Sequence, residues 1–413
     1  MIYFYSLLVY LISSLIPFYL IKRSKKNPAY KLFWSERFSI NLKNNETKPI
    51  IWLHSVSVGE TRAMVKLIDI LERKHPDYKI LITVMTPTGR ETARSIYSKA
   101  LIHYIPYDMP HAIIKFYKTF KPKIGLIMET EIWPNLIFYA NKLSIPLYLI
   151  NARLSDKSFN SYKKFNYFIT PILNKFTKIL CQDNITKDNF IKLGYIKGIN
   201  VVGNTKFDML IDQNCFNTLE FFNQHIRNKR VVIFSSTREG EEKMIIENIP
   251  SKIDYLIIIV PRHPERFMDI ENLLIKNKVI YQKKTDNKPI DSGTEVFLGD
   301  TMGEMMLYYK MCDLAVIGGS FSNNGGQNLL EPIYLDKPVI FGSSMYNFTT
   351  IAYNALNEKC AIQVNNIEEC FKKIEEIFSN QEQYDYLVSN CGIFIDKYSG
   401  ASERIVEDIS RYL

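Results

Sequence analysis

Residues 50–71 read IIWLHSVSVGETRAMVKLIDIL, and the spacing of the apolar positions changes midway through. Ile50, Ile51, Trp52 and Leu53 form an unbroken apolar run, which suits a strand covered on both faces. Ser55, Ser57 and Gly59 then interrupt it, after which Met64, Val65, Ile68 and Leu71 fall on one face of a helix while Glu60, Arg62 and Lys66 point elsewhere. A buried strand feeding an amphipathic helix is the building unit of a parallel sheet with helices on its faces.

Read outward from this unit, the alternation continues through apolar runs at 80–85, 101–106, 124–128, 146–150 and 179–181. It fades in the polar stretch 206–229 and resumes with runs at 231–234, 255–260, 296–298, 314–317 and 339–341. Residues 367–378 and 384–413 read as closing helices that pack back across both domains. The expectation is an α/β protein with two Rossmann-like domains facing a cleft. Its limits are an anchor at 1–21, a first domain at 22–205, a second at 206–385 and a helical segment at 386–413.

Composition agrees with two cores and narrows the partners. The chain has 413 residues, 46% of them hydrophobic, enough for two domains of ordinary size. Lysine and arginine total 52 against 43 acids, giving a net charge of +9 that favours anionic partners. The only tight basic cluster is Lys22, Arg23, Lys25 and Lys26, directly after an uncharged stretch at 1–21. That placement argues for anionic lipid and against nucleic acid, with everything beyond it on the cytoplasmic side. A helix over 1–21 would just cross a hydrocarbon core of about 30 Å. Pro17 and the Tyr and Ser residues around it suit a shallow interfacial helix equally. Arg37 and Lys31 join the basic cluster as candidate surface contacts. The six cysteines are scattered without metal or disulfide spacing, and Cys181 and Cys312 read as small buried hydrophobes in a reduced compartment.

The polar and glycine-rich segments collect where strands end. They include 54–60, 86–89, 129–131 and 151–153 in the first half, and 235–237, 261–265, 299–304, 318–320 and 325–328 in the second. Ligands of open parallel sheets bind at such ends. Glu60 alone reads equally as a helix-starting charge or a base. Glu129 and Glu131 follow an apolar strand, and two like charges so placed call for a basic or hydrogen-bonding partner. Lys206 after Gly203 and Asn204 reads as a solvated lysine or a site cation, and His263 as a loop hydrogen-bonder. No dinucleotide, P-loop, zinc-protease or serine-hydrolase signature occurs, nor a D-x-D carboxylate pair. A reaction run by fixed protein charges, with no metal and no cofactor, is the expectation.

Seven ordered motifs resemble the Kdo transferase family (Kdo is 3-deoxy-D-manno-octulosonic acid): WLHSVSVGE at 52–60, METEIWPN at 128–135, NARLS at 151–155, KFD at 206–208, VPRHPERF at 260–267, GDTMGE at 299–304 and NLLE at 328–331. The resemblance covers nearly the whole chain. It implies the GT-B architecture, acceptor side first and nucleotide side second, with an N-terminal membrane helix at the bacterial inner membrane. It also implies inverting, metal-independent transfer of Kdo from CMP-Kdo to the lipid A precursor, lipid IVA. Glu60 is then the proton acceptor, Glu129 and Lys206 stabilise the transition state, and CMP is met by Pro261, Arg262, Met302, Gly303, Glu304, Asn328, Leu329, Leu330 and Glu331. The alternatives are a GT-B transferase with another nucleotide sugar and lipid, and a silent membrane scaffold of the same fold.

Overall fold

The computed structural model describes residues 1–211, 213–224, 226 and 229–413. The chain divides into two units, Met1–Leu210 with Tyr398–Leu413, and Ile211–Lys397. In the first, β1 (Ile50–Ser55), β2 (Lys79–Val84), β3 (Leu101–Tyr104), β4 (Pro122–Met128), β5 (Leu147–Ala152), β6 (Lys178–Cys181) and β7 (Gly198–Val201) run parallel in the order β3-β2-β1-β4-β5-β6-β7. Every residue of β1 is buried. Ile50 and Trp52 pack in one layer with Phe116 and Tyr117, while Ile51 and Leu53 pack in the other with Leu67 and Leu71. Successive side chains leave a strand on opposite faces, so an unbroken apolar run is what a doubly covered strand requires. Trp52 also explains Gly125 on β4, where a Cβ would lie 2.7 Å from the indole and 2.4 Å from Leu147.

The second unit repeats the plan. Strands β8 (Val231–Thr237), β9 (Leu256–Pro261), β10 (Tyr281–Lys283), β11 (Val296–Leu298), β12 (Leu314–Ile317), β13 (Val339–Phe341) and β14 (Ala361–Gln363) are parallel, in the order β10-β11-β9-β8-β12-β13-β14. Each sheet reverses its strand order beside its first strand, at β1/β4 and at β8/β12, and in the second sheet β11 is also inserted between β10 and β9. Loops diverge at such a reversal and leave a crevice beyond the carboxyl ends. The sequence reading contains no counterpart for β7, β10 and β14, each at a sheet edge.

Several boundaries differ from the expected ones. The first unit runs to Leu210, so Lys206 belongs to it. Positions 212, 225, 227 and 228 of the polar stretch lie outside the described residues. Its described part holds short turns at Thr205–Phe207 and Gln213–Phe216, helix Leu219–Asn223, and no strand. The closing helices are Ile367–Ser379, Gln381–Tyr398 and Ala401–Ile409. The last of them rejoins the first unit, where Ile405, Val406 and Ile409 share a core layer with Leu67 and Leu71.

The single helix expected over 1–21 is not what the chain forms. Two helices, Ile2–Ser13 and Ile16–Ser24, meet at a 46° bend, and among the described residues no single helix is long and apolar enough to cross a membrane. The bend has local causes. The hydroxyls of Ser13 and Ser14 donate back to the carbonyls of Tyr10 and Leu11 at 2.7 and 2.8 Å, and Pro17 has no N–H to continue the ladder. Arg37, expected at the surface, is buried: its guanidinium lies 3.7 Å from the Tyr104 ring centroid and donates to the Met85 carbonyl at 3.0 Å. Lys22, Arg23, Lys25, Lys26 and Lys31 are exposed.

Candidate active site

Glu60 stands at the carboxyl end of β1, in the third position of helix Val58–Ala63. Ser57 caps that helix, its hydroxyl accepting from the Glu60 N–H at 3.2 Å. The Glu60 carboxylate reaches back in turn, accepting from the Val56 N–H at 2.8 Å and from the Ser57 hydroxyl at 2.9 Å. The arrangement resembles a capping box, except that Glu60 accepts from the N–H one residue before the cap, not from that of Ser57 itself. It turns the carboxylate inward: Glu60 is 8% exposed, where the helical spacing alone had pointed it away from the core. Burial raises its pKa above the ordinary carboxylate value, the Val56 N–H and Ser57 oppose this, and the charges of Glu129 and Glu131 add to it. A carboxyl raised in this way is a stronger proton acceptor once ionised.

Glu129 and Glu131 follow β4, the strand across the reversal from β1. Glu129 has φ 54°, a left-handed conformation that costs energy for a side chain with a Cβ, and its N–H is fixed to the Ile150 carbonyl at 3.0 Å. Its carboxylate meets the Lys206 ammonium at 3.4 Å. Glu131 accepts from the Trp133 indole N–H at 2.6 Å, and burial raises its pKa with help from the Glu129 charge. The two acids thus acquire the basic and hydrogen-bonding partners their spacing called for, although they lie in a turn and not on a continuing strand. Beneath them His54 is wholly buried and held neutral, its pKa pushed down to about 4 by burial, with its ring edge-on to Trp133.

Lys206 is held from three directions. Asn204 accepts from its backbone N–H at 3.0 Å, and Asn151, itself left-handed at φ 49°, accepts from the Thr205 N–H at 3.1 Å. Two residues on, Asp208 accepts from the N–H groups of Gly400 and Ser402, each at 2.6 Å, and so fastens the lysine turn to the start of the last helix. Phe207 stacks on Tyr398 with ring centroids 5.3 Å apart. Glu60, Glu129, Glu131 and Lys206 therefore belong to one site within the first unit. Nothing in the spacing of Asn151, Asn204 and Asp208 marks them as its supports.

The residues expected to meet the nucleotide lie in the second unit, at or beyond strand ends. Pro261 closes β9, and Arg262, its N–H bonded to the Thr237 carbonyl at 3.1 Å, is exposed. Met302 and Gly303 are exposed past β11, and Glu304 pairs with Lys284 at 3.4 Å and accepts from the Thr301 hydroxyl. Asn328 donates to Glu331 at 3.0 Å and accepts from the Leu330 N–H at 3.1 Å. Leu329 and Leu330 have buried side chains.

The β8/β12 reversal adds residues the sequence reading passed over. Glu241 accepts from the N–H groups of Arg238, Gly319 and Phe321 at 2.8, 2.7 and 3.0 Å and from the Ser322 hydroxyl at 3.2 Å. Glu242 accepts from Thr237 at 2.9 Å and Arg266 at 3.0 Å. Arg238 meets His263 at 2.6 Å. The available signal was the acidic pair opening a helix just after a strand. Gly318 closes the crevice floor, since a Cβ there would sit 2.6 Å from the carbonyl oxygens of Ser235 and Ser236.

Two Rossmann-like units with polar sites at their strand-order reversals define the GT-B class. The architecture matches UDP-GlcNAc 2-epimerase from Neisseria meningitidis, with TM-score 0.58 and 16% identity over 88% of this chain and 100% of that one. It also matches the glycotransferase of kitacinnamycin, with TM-score 0.56 and 11% identity over 89% and 100%. These identities speak for the fold alone. Residues 33–209 match the family described as 3-deoxy-D-manno-octulosonic-acid transferase (kdotransferase). The 3-deoxy-D-manno-octulosonic acid transferase of Haemophilus influenzae is 31% identical over all of this chain and 98% of that protein. The chain belongs to the Kdo transferase family and is a glycosyltransferase.

Proposed function

We propose that this transferase moves Kdo from CMP-Kdo to the lipid A precursor, lipid IVA, by a direct, inverting and metal-independent displacement. The observation that carries the reading is Glu60, a buried carboxyl with raised pKa at the β1/β4 reversal, beside the Glu129–Lys206 pair. An acceptor sugar hydroxyl attacks the anomeric carbon, the bond from that carbon to the CMP phosphate oxygen breaks, and Glu60 takes the hydroxyl proton. The phosphate leaves as a stable anion, so no general acid is needed. One displacement inverts the centre, from the β linkage of the donor to an α product.

Lys206 supplies fixed positive charge for the departing phosphate, and Glu129 orients it, the work a metal does in transferases with a D-x-D pair. Pro261, Arg262, Met302, Gly303, Glu304, Asn328, Leu329, Leu330 and Glu331 hold the CMP moiety, the two leucines through their backbone. The bent apolar helix pair rests in the cytoplasmic face of the inner membrane, with the exposed Lys22, Arg23, Lys25 and Lys26 against anionic lipid.

The purified protein, given CMP-Kdo and lipid IVA, should yield an acceptor whose mass has grown by Kdo, with an α linkage by NMR. Exhaustive chelation should leave the rate unchanged. Transfer only from a uridine-linked donor would overturn the donor assignment, and rescue only by added Mg²⁺ would overturn metal independence.

A further inference from the structure

Between the bent helix pair and the body of the first unit lies a cavity of about 360 Å³, walled by Val9, Ile12 and Ile16 on the helices and by Ile132 and Trp133 beyond β4. The polar groups of Tyr5, Ser13, Asp108 and Trp133 in its wall are already engaged. Tyr5 donates to Asp108 at 2.9 Å, and Asp108 also accepts from the N–H groups of Asn135 and Leu136 at 2.9 and 2.7 Å. Ser13 donates to the Tyr10 carbonyl at 2.7 Å, and the Trp133 indole to Glu131 at 2.6 Å. A wall whose hydrogen bonding is mostly met internally offers an occupant apolar contact, and hydrocarbon is the chemistry that suits it best.

Two further features say which hydrocarbon. Trp133 is shared between the cavity and the acid cluster, and the charge of Glu131 acts on Glu60. The same helices expose Phe4, Leu7, Leu11, Leu15 and Phe18, each more than half accessible, a face suited to lipid. The cavity thus joins a lipid-facing surface to the proton acceptor.

We propose that this cavity is an acyl-chain subsite, seating one fatty chain of the acceptor while its sugar hydroxyl lies at Glu60. The assignment rests on the lipid-acceptor reading above. A second apolar groove of about 610 Å³, walled in part by Ile2, Phe138 and Tyr167, is the competitor. None of its wall residues bonds to Glu60, Glu129 or Glu131.

The test uses the full chain in detergent micelles with acceptors of graded acyl length. For the wild type at fixed micelle composition, kcat/KM should fall as the seated chain is shortened, by less than the roughly four-fold per methylene of transfer from water because the micelle also shelters the chain. Val9→Trp, which fills the cavity, should raise KM for the long-chain acceptor about ten-fold or more and flatten that dependence. Leu11→Trp, on the exposed face, should keep the wild-type dependence. An unchanged dependence in Val9→Trp overturns the subsite and leaves the acceptor reading standing, whereas no transfer by the wild type to any acylated acceptor removes both. A wild-type measurement needs no variant to fold: an acceptor with a diazirine at its acyl terminus should label residues 9–16 or 132–134. Label on residues 167–172 instead would assign the chain to the second groove and overturn the proposal.

Discussion

The β1/β4 and β8/β12 reversals each lie beside the first strand of a seven-stranded parallel sheet, yet they use acidic side chains in opposite ways. At β8/β12 the carboxylate of Glu241 receives four hydrogen bonds, three of them from backbone N–H groups, and serves to fix the loops. At β1/β4 three carboxyls crowd together: Glu60 has two donors, Glu131 has the Trp133 indole, and Glu129 has Lys206. A carboxyl raised by burial and by neighbouring charge, as Glu60 is, makes a good proton acceptor. One reversal thus carries a carboxylate whose donors tie loops together, and the other carries three acids whose charges act on one another.

The largest effect that tests this contrast is at Glu60. Glu60→Gln keeps an acceptor for the Val56 N–H but cannot take a proton, so kcat should fall by about 10² to 10⁴ with the melting temperature almost unmoved. Retained turnover would make Glu60 a cap only. Next, Lys206→Ala should cost about 10² to 10³ in kcat by removing a fixed charge from the departing phosphate, read in single-turnover assays.

Glu241→Ala should behave in the other sense, destabilising the fold by about 1–3 kcal/mol in urea titrations because the Gly319 and Phe321 N–H groups lose their partner. Loss of turnover with undiminished stability would erase the distinction between the reversals. The smallest effect is a shift in pH dependence. On the proposed mechanism activity needs Glu60 ionised, so it should fail as pH falls through a pKa that lies above the ordinary carboxylate value. The Glu129 charge contributes to that elevation, so Glu129→Gln should move the acid limb of kcat/KM to lower pH, whatever it does to the maximal rate.

Legibility in the sequence followed burial. The central strands declared themselves because both faces are covered and the run is continuously apolar, as in Ile50–Ser55 and Leu256–Pro261. Strand β7, with Gly198, Asn200 and Val201 exposed, sits at an edge, and its sequence carries no such run. Strands β10 and β14 are likewise short edge strands. The apolar stretch at the N-terminus announced a helix but not its break, which depends on serine hydroxyls bonding back to the backbone around Pro17. At the site, the acids were visible as residue types at strand ends. Their supports were not, since Asn151, Asn204 and Asp208 act through backbone contacts brought about only by the fold.

One of those supports bears on the order in which the protein becomes an enzyme. Asp208 is bound by amides that lie 192 and 194 residues further along the chain. During synthesis every strand of the first sheet leaves the ribosome long before Gly400, Ser402 and the last helix, which completes that unit's core. The turn that carries Lys206 gains its final anchor only after the whole second unit has been made. A chain released early would lack that anchor, so the Lys206 turn is among the last parts of the nascent polypeptide to be fastened.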